Sequence, residues 1–175
     1  YILDEIKEIY FANLQLVSSF NPNKSSITGD GEYSFNNMNF QKINFDNNFK
    51  NNLYKLKLNF DFIQQLEIEL INYLKPNDTI ANLYIDLEKK KDIIKINKLN
   101  FKEEKNLIQI NELIFKKNNF TSFGEVKVKT SNNDFFIKKD KNILIKGKKF
   151  DATKLAKFFS RESRDNKFKN INEKI

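Results

Sequence analysis

The sequence predicts a mainly β fold: an elongated antiparallel meander sheet. Two octets carry most of that expectation, Ile94-Lys-Ile-Asn-Lys-Leu-Asn-Phe101 and Ile108-Gln-Ile-Asn-Glu-Leu-Ile-Phe115, which stand 14 residues apart around the turn 102–106. Each opens with strict alternation and then changes parity, since Leu99/Phe101 and Leu113/Phe115 fall on odd positions. Alternation at period 2 marks a strand with one apolar face. A parity change at the same place in both copies predicts a bulge or bend shared by neighbouring strands. The tail of the pattern recurs as Lys42-Ile-Asn-Phe45 and Lys57-Leu-Asn-Phe60, so similar strands repeat along the chain. Hydrophobic residues are only 39% of the chain, yet 18 are Phe. That combination suits a sheet apolar on one face and solvated on the other.

From the start, Ile2, Ile6, Ile9 and Tyr10 fall at helical spacing and predict a short helix near 2–11. Leu14-Gln-Leu16 begins a strand. Residues 25–35 read as a strand with Ile27, Gly29, Gly31, Tyr33 and Phe35 on one face, and the two glycines as bends. Gly29-Asp-Gly31 lacks the lysine and helix of a phosphate loop. The clearest strand places Tyr54, Leu56, Leu58, Phe60 and Phe62 on one side, with Lys55, Lys57, Asn59 and Asp61 on the other. The stretch 64–74 fits helix and strand periods alike and is assigned as a short helix, closed by Pro76. Strands follow near 80–88, 93–101, 107–116, 123–130, 134–138 and 142–147. A helix near 152–160 is expected after Asp151 as its cap, with Phe150 and Leu155 as a hydrophobic staple.

Four Gly and two Pro leave no internal boundary, and 1–175 reads as a single segment of a larger repetitive β protein. The net charge is +8, but all 31 basic residues except Arg161 and Arg164 are lysines, spread along the chain among acidic residues. Lysine is a solvated point charge, whereas arginine is favoured for bidentate phosphate and base contacts, so a nucleic-acid partner is not expected. Attraction to anionic lipid remains compatible with this charge. No Cys or His is present. A disulfide, a thiol nucleophile, an imidazole base and the Ser-His-Asp triad are therefore excluded, as are zinc sites built on these residues. Pairs such as Glu67/Glu69, Glu103/Glu104 and Asp134/Asp140 are what 23 acidic residues produce by chance, and no Trp marks a sugar cleft. Neither an enzyme nor a cofactor is expected.

At the C-terminal end, Asn142-Ile-Leu-Ile-Lys-Gly-Lys-Lys-Phe-Asp-Ala-Thr-Lys-Leu-Ala-Lys-Phe158 resembles a segment of the AsmA-like superfamily, in its YhdP and TamB branches. There a strand ends in Gly before a Phe/Leu-Asp-Ala-x-x-Leu turn, matched here by Gly147, Phe150, Asp151, Ala152 and Leu155. The resemblance implies a periplasmic envelope protein of a Gram-negative bacterium, anchored in the inner membrane by a segment outside this chain. It also implies a β-groove that shields phospholipid acyl chains on their way to the outer membrane, in outer-membrane biogenesis. A monomer with phospholipid as partner is expected. On that reading Leu56, Leu58, Phe60, Ile85, Ile94, Ile96, Ile108, Ile110, Val126 and Val128, each on the apolar parity of its strand, face lipid. The alternative is a structural or adhesive β-repeat domain of an envelope protein with a closed core.

Overall fold

The computed structural model describes residues 8–77 and 79–154. They form an 11-stranded antiparallel sheet in the order β1-β2-β3-β4-β7-β8-β9-β11-β12-β13, with β10 paired beside β9. Its strands are β1 (Tyr10–Asn21), β2 (Lys24–Ser34), β3 (Gln41–Lys50), β4 (Leu53–Phe62), β7 (Ala81–Lys90), β8 (Ile93–Glu103), β9 (Asn106–Lys116), β10 (Asn119–Ser122), β11 (Glu125–Lys129), β12 (Asp134–Lys139) and β13 (Ile143–Lys149). Edge strands β1 and β13 do not pair with each other, so the sheet is open, as a groove requires. Chain order and spatial order agree except where a hairpin of β5 (Leu66–Ile68) and β6 (Tyr73–Lys75) is inserted between β4 and β7.

Turn chemistry explains why a chain with so little glycine can meander. Left-handed backbone is supplied mostly by Asn: Asn51 and Asn52 have φ of 50° and 62°, and Asn118 has 61° beside Lys117 at 51°. Positive φ at both central residues is the type I′ geometry whose twist matches that of the flanking strands. Asn tolerates it because its short polar side chain bonds locally.

The parity change in the two octets is a shared bulge. Ile96 pairs with Leu113 and Lys98 with Asn111, while Asn97 and Glu112 are passed over between them. Against β7 the register slips by one at the same point, from Asp86↔Lys98 to Leu87↔Ile96. Glu112 takes φ 60°, and Gly124, in the link between β10 and β11, lies against it, where a Cβ would meet the Glu112 carboxylate at 2.8 Å. Because both strands carry the extra residue side by side, they stay in register with each other and bend together.

Four expectations need correction. The stretch 64–74 is not a helix: it is the β5–β6 hairpin with a 3₁₀ turn, Glu69–Ile71, at its tip. Leu66 and Ile68 pack on the sheet at strand spacing, and Asn72 at φ 46° ends the turn and reverses the chain. Tertiary burial decided between two periods that fitted equally well. Near 2–11, Tyr10 and Phe11 belong to β1 and pair with Ser34 and Tyr33; the earlier part of that helix lies outside the described residues. Residues 152–154 are not helical, and the rest of the helix expected near 152–160 also lies outside them. Gly29 is a strand position paired in register on both sides, and its missing side chain gives room to the Phe45 ring and to Leu16.

Candidate functional site: an apolar groove under a hairpin

Strand pairing turns the apolar parity into a continuous surface. Leu16 of β1 lies beside Gly29, Gly29 beside Phe45, and Phe45 beside Leu58. The row continues through Ile85, Leu99 and Ile110. It ends with Val126, Ile137 and Ile145 on β13. This row crosses ten strands without one polar side chain. A parallel row toward one end of the strands runs Ile43–Phe60–Leu83–Phe101–Ile108–Val128–Phe135. Beyond the bulge, Leu56, Leu87, Ile96 and Leu113 form another.

All ten residues expected to face lipid stand on this surface, but in two environments. Ile108 and Val128, 7% and 3% exposed, are sealed under the hairpin, where Ile71 and Tyr73 join Phe101, Phe135 and Ala81 in the buried core. Leu56, Leu58, Phe60, Ile85, Ile94, Ile96, Ile110 and Val126 are half-buried, and Val126 packs against the edge of that core. The opposite face is polar. There Lys55 meets Glu88 at 2.8 Å and Asn97 donates to Asp86 at 3.3 Å, beside Lys57, Asp46 and Asn48.

The hairpin is held by apolar and polar contacts together. Tyr73 packs edge-on against Phe101, with centroids 5.6 Å apart at 75°, and its hydroxyl donates to Glu103 at 2.6 Å. The Lys75 side chain is fully buried. Its ammonium donates to the carbonyls of Ile63, Gln64 and Pro76 at 2.8–3.0 Å and stands over the Phe62 ring. Buried Asn133 donates to the Ile71 carbonyl at 2.7 Å and accepts the Asp151 N–H at 2.9 Å. Asn72 donates to the Asp151 carboxylate at 2.8 Å, and Lys154 meets Glu67 at 2.6 Å. The hairpin is thus tied both to the sheet and to the segment after β13. Only the apolar half of this arrangement had a signal in the sequence. Asn133, Lys75 and Glu103 look like ordinary solvated loop residues until the hairpin is placed.

Two carboxylates of the tie are held below their ordinary range. Burial alone would raise Glu103, but hydrogen bonds from Tyr73, Thr79 and Asn106, with the charge of Lys75, outweigh it. Asp151 is held at about 2 by hydrogen bonds from the Thr153 side chain, Asn72 and the Thr153 N–H. A depressed carboxyl contributes stability that is complete above its unfolded value and lost as pH falls through its folded value. The loss should therefore begin below the ordinary values of 4.5 and 3.8 and, for Asp151, continue toward about 2. Thermal melts should show a lower Tm at pH 3 than at pH 6, with a smaller drop in Asp151→Asn. Identical melts for the parent at the two values would contradict the tie.

No protein-family model, curated protein or solved structure matches this chain. Among the described residues no group of acidic side chains could hold a metal ion, and no helix is long and apolar enough to cross a membrane.

Proposed function

We propose that this chain shields phospholipid acyl chains in an apolar β-groove, as a non-enzymatic segment of an envelope protein that carries lipid between inner and outer membrane. The observation that carries this reading is the row from Leu16 to Ile145, apolar across ten strands and covered, among the described residues, only on the side where the hairpin sits. A soluble sheet must cover such a surface with something. Acyl chains suit it, because burial is favourable by about 0.8 kcal/mol per CH₂ and has no preferred direction. A chain can then slide from one strand to the next without meeting a charge. The resemblance of the segment around Gly147–Leu155 to the AsmA-like superfamily supports the same reading and adds the periplasmic, inner-membrane-anchored setting.

Lipid extraction and native mass spectrometry of the purified protein test this directly. Phospholipid should co-purify and be exchangeable against added phospholipid. Protein that emerges lipid-free, and takes up none from vesicles, would instead favour a structural or adhesive β-repeat.

A further inference from the structure

The turns at one end of the sheet differ in chemistry from those at the other. Antiparallel order brings Pro22–Asn23, Asn51–Asn52, Lys91–Asp92, Lys117–Asn118 and the turn 140–142 to the same side. Lys24 and Lys50 flank the first two, Lys89, Lys90 and Lys91 the third, and Lys116 and Lys117 the fourth. Lys138, Lys139 and Lys141 surround the last. All ten are exposed, and within two residues of these turns the only carboxylates are Asp92 and Asp140. This one edge therefore carries as much excess charge as the whole chain, whose net is +8. At the opposite edge the signs are mixed: Lys102, Glu103, Glu104 and Lys105 share one turn, and Glu67 pairs with Lys154.

Large apolar side chains stand among these lysines. Phe20 is 69% exposed, Phe120 53%, Ile93 47% and Phe49 43%. Phe120 stacks on Phe123, with centroids 6.5 Å apart at 24°, and meets the edge of Phe115. Lysine alone would be a solvated rim, and aromatic residues alone a core fragment. Interleaved, they match the boundary where anionic headgroups meet acyl chains. Lysine stems can lie along apolar surface while the ammonium reaches a phosphate. The apolar face runs up to this edge with one lysine in it: just inside the turns Phe49 pairs with Tyr54 and Ile94 with Phe115, and Lys89 stands between Tyr54 and Ile94. The hairpin sits toward the other end.

The geometry points to this basic turn edge as a docking surface for an anionic lipid membrane, with the lysines on headgroups and Phe20, Phe49, Ile93 and Phe120 at the acyl boundary. The inference goes beyond the groove, because vesicle binding reads the edge whereas retained lipid reads the groove, and either can fail alone. The test is flotation of the purified protein with vesicles of phosphatidylcholine alone or mixed with phosphatidylglycerol. Binding should require the anionic lipid and weaken as salt is raised. Lys90→Glu, Lys91→Glu, Lys116→Glu and Lys117→Glu combined should weaken it at least about ten-fold. Lys24→Glu with Lys50→Glu and Lys139→Glu, drawn from other turns of the same edge, should do likewise. Lys102→Glu with Lys105→Glu, at the opposite edge, should change it less than about two-fold. Equal binding to neutral vesicles, or an equal loss from the opposite-edge pair, would overturn the proposal. So would displacement of the vesicles by a single-stranded oligonucleotide that binds more tightly, which would make the edge a nucleic-acid surface.

Discussion

Phe101→Ala is expected to cost about 3–5 kcal/mol of folding stability, the largest loss of any single truncation on the sheet. Phe101 is 3% exposed and lies where sheet and hairpin meet. Its ring contacts Tyr73 from the hairpin and Phe62 at the end of β4, with centroids 5.6 and 6.1 Å away. Removing it opens a cavity beneath the hairpin that neither β-ladder can collapse to fill, because both are fixed by main-chain hydrogen bonds. Chemical denaturation of the variant beside Phe49→Ala makes the comparison. Phe49 is 43% exposed and has little burial to lose. A loss below about 1 kcal/mol at Phe101 would show that the hairpin is not seated there.

The second large effect is functional. Ile110→Asp places a carboxylate in the middle of the ten-strand row, between Leu99 and Val126. Ile110 is half-buried, so the new charge keeps part of its hydration and the domain should remain folded. An acyl chain crossing that strand would then have to pass an ionised group, and lipid retention should fall to background. Val128→Asp is the internal contrast. Val128 is 3% exposed under Ile71 and Tyr73, and a carboxylate there would be buried without a partner. That variant should unfold. Circular dichroism melts beside lipid extraction separate the two. Unfolding of both variants alike would mean that the row is a closed core throughout.

The strands and their apolar parity were legible because each side chain of a half-buried strand reports its own face. Tyr54–Phe62 is plain in the sequence, and the parity change in the octets located the bulge at Asn97 and Glu112. The hairpin was not legible. Leu66, Ile68, Leu70, Tyr73 and Leu74 satisfy two periods, and what decides between them is the pocket formed by Phe101, Ile108 and Val128, far away in sequence. Strand β3 was also missed as an element beyond its Ile43 and Phe45, because Asn47 occupies an apolar-face position and breaks the alternation. For the site, parity placed all ten residues on one surface. It could not separate Ile108 and Val128 from the rest, since their burial comes from the hairpin rather than from their own strands.

The most direct measurement of the central claim is photo-crosslinking of the intact protein, with the probe residue placed singly at Ile85, Val128 or Lys57. Ile85 lies in the open row between Leu58 and Leu99, Val128 lies under the hairpin, and Lys57 lies on the polar face opposite Asp86. The account predicts phospholipid captured at Ile85 and none at Lys57 or Val128, with Val128 crosslinking within the chain to the hairpin. Equal capture at Ile85 and Lys57, or none at Ile85 in protein shown to be folded, would contradict it.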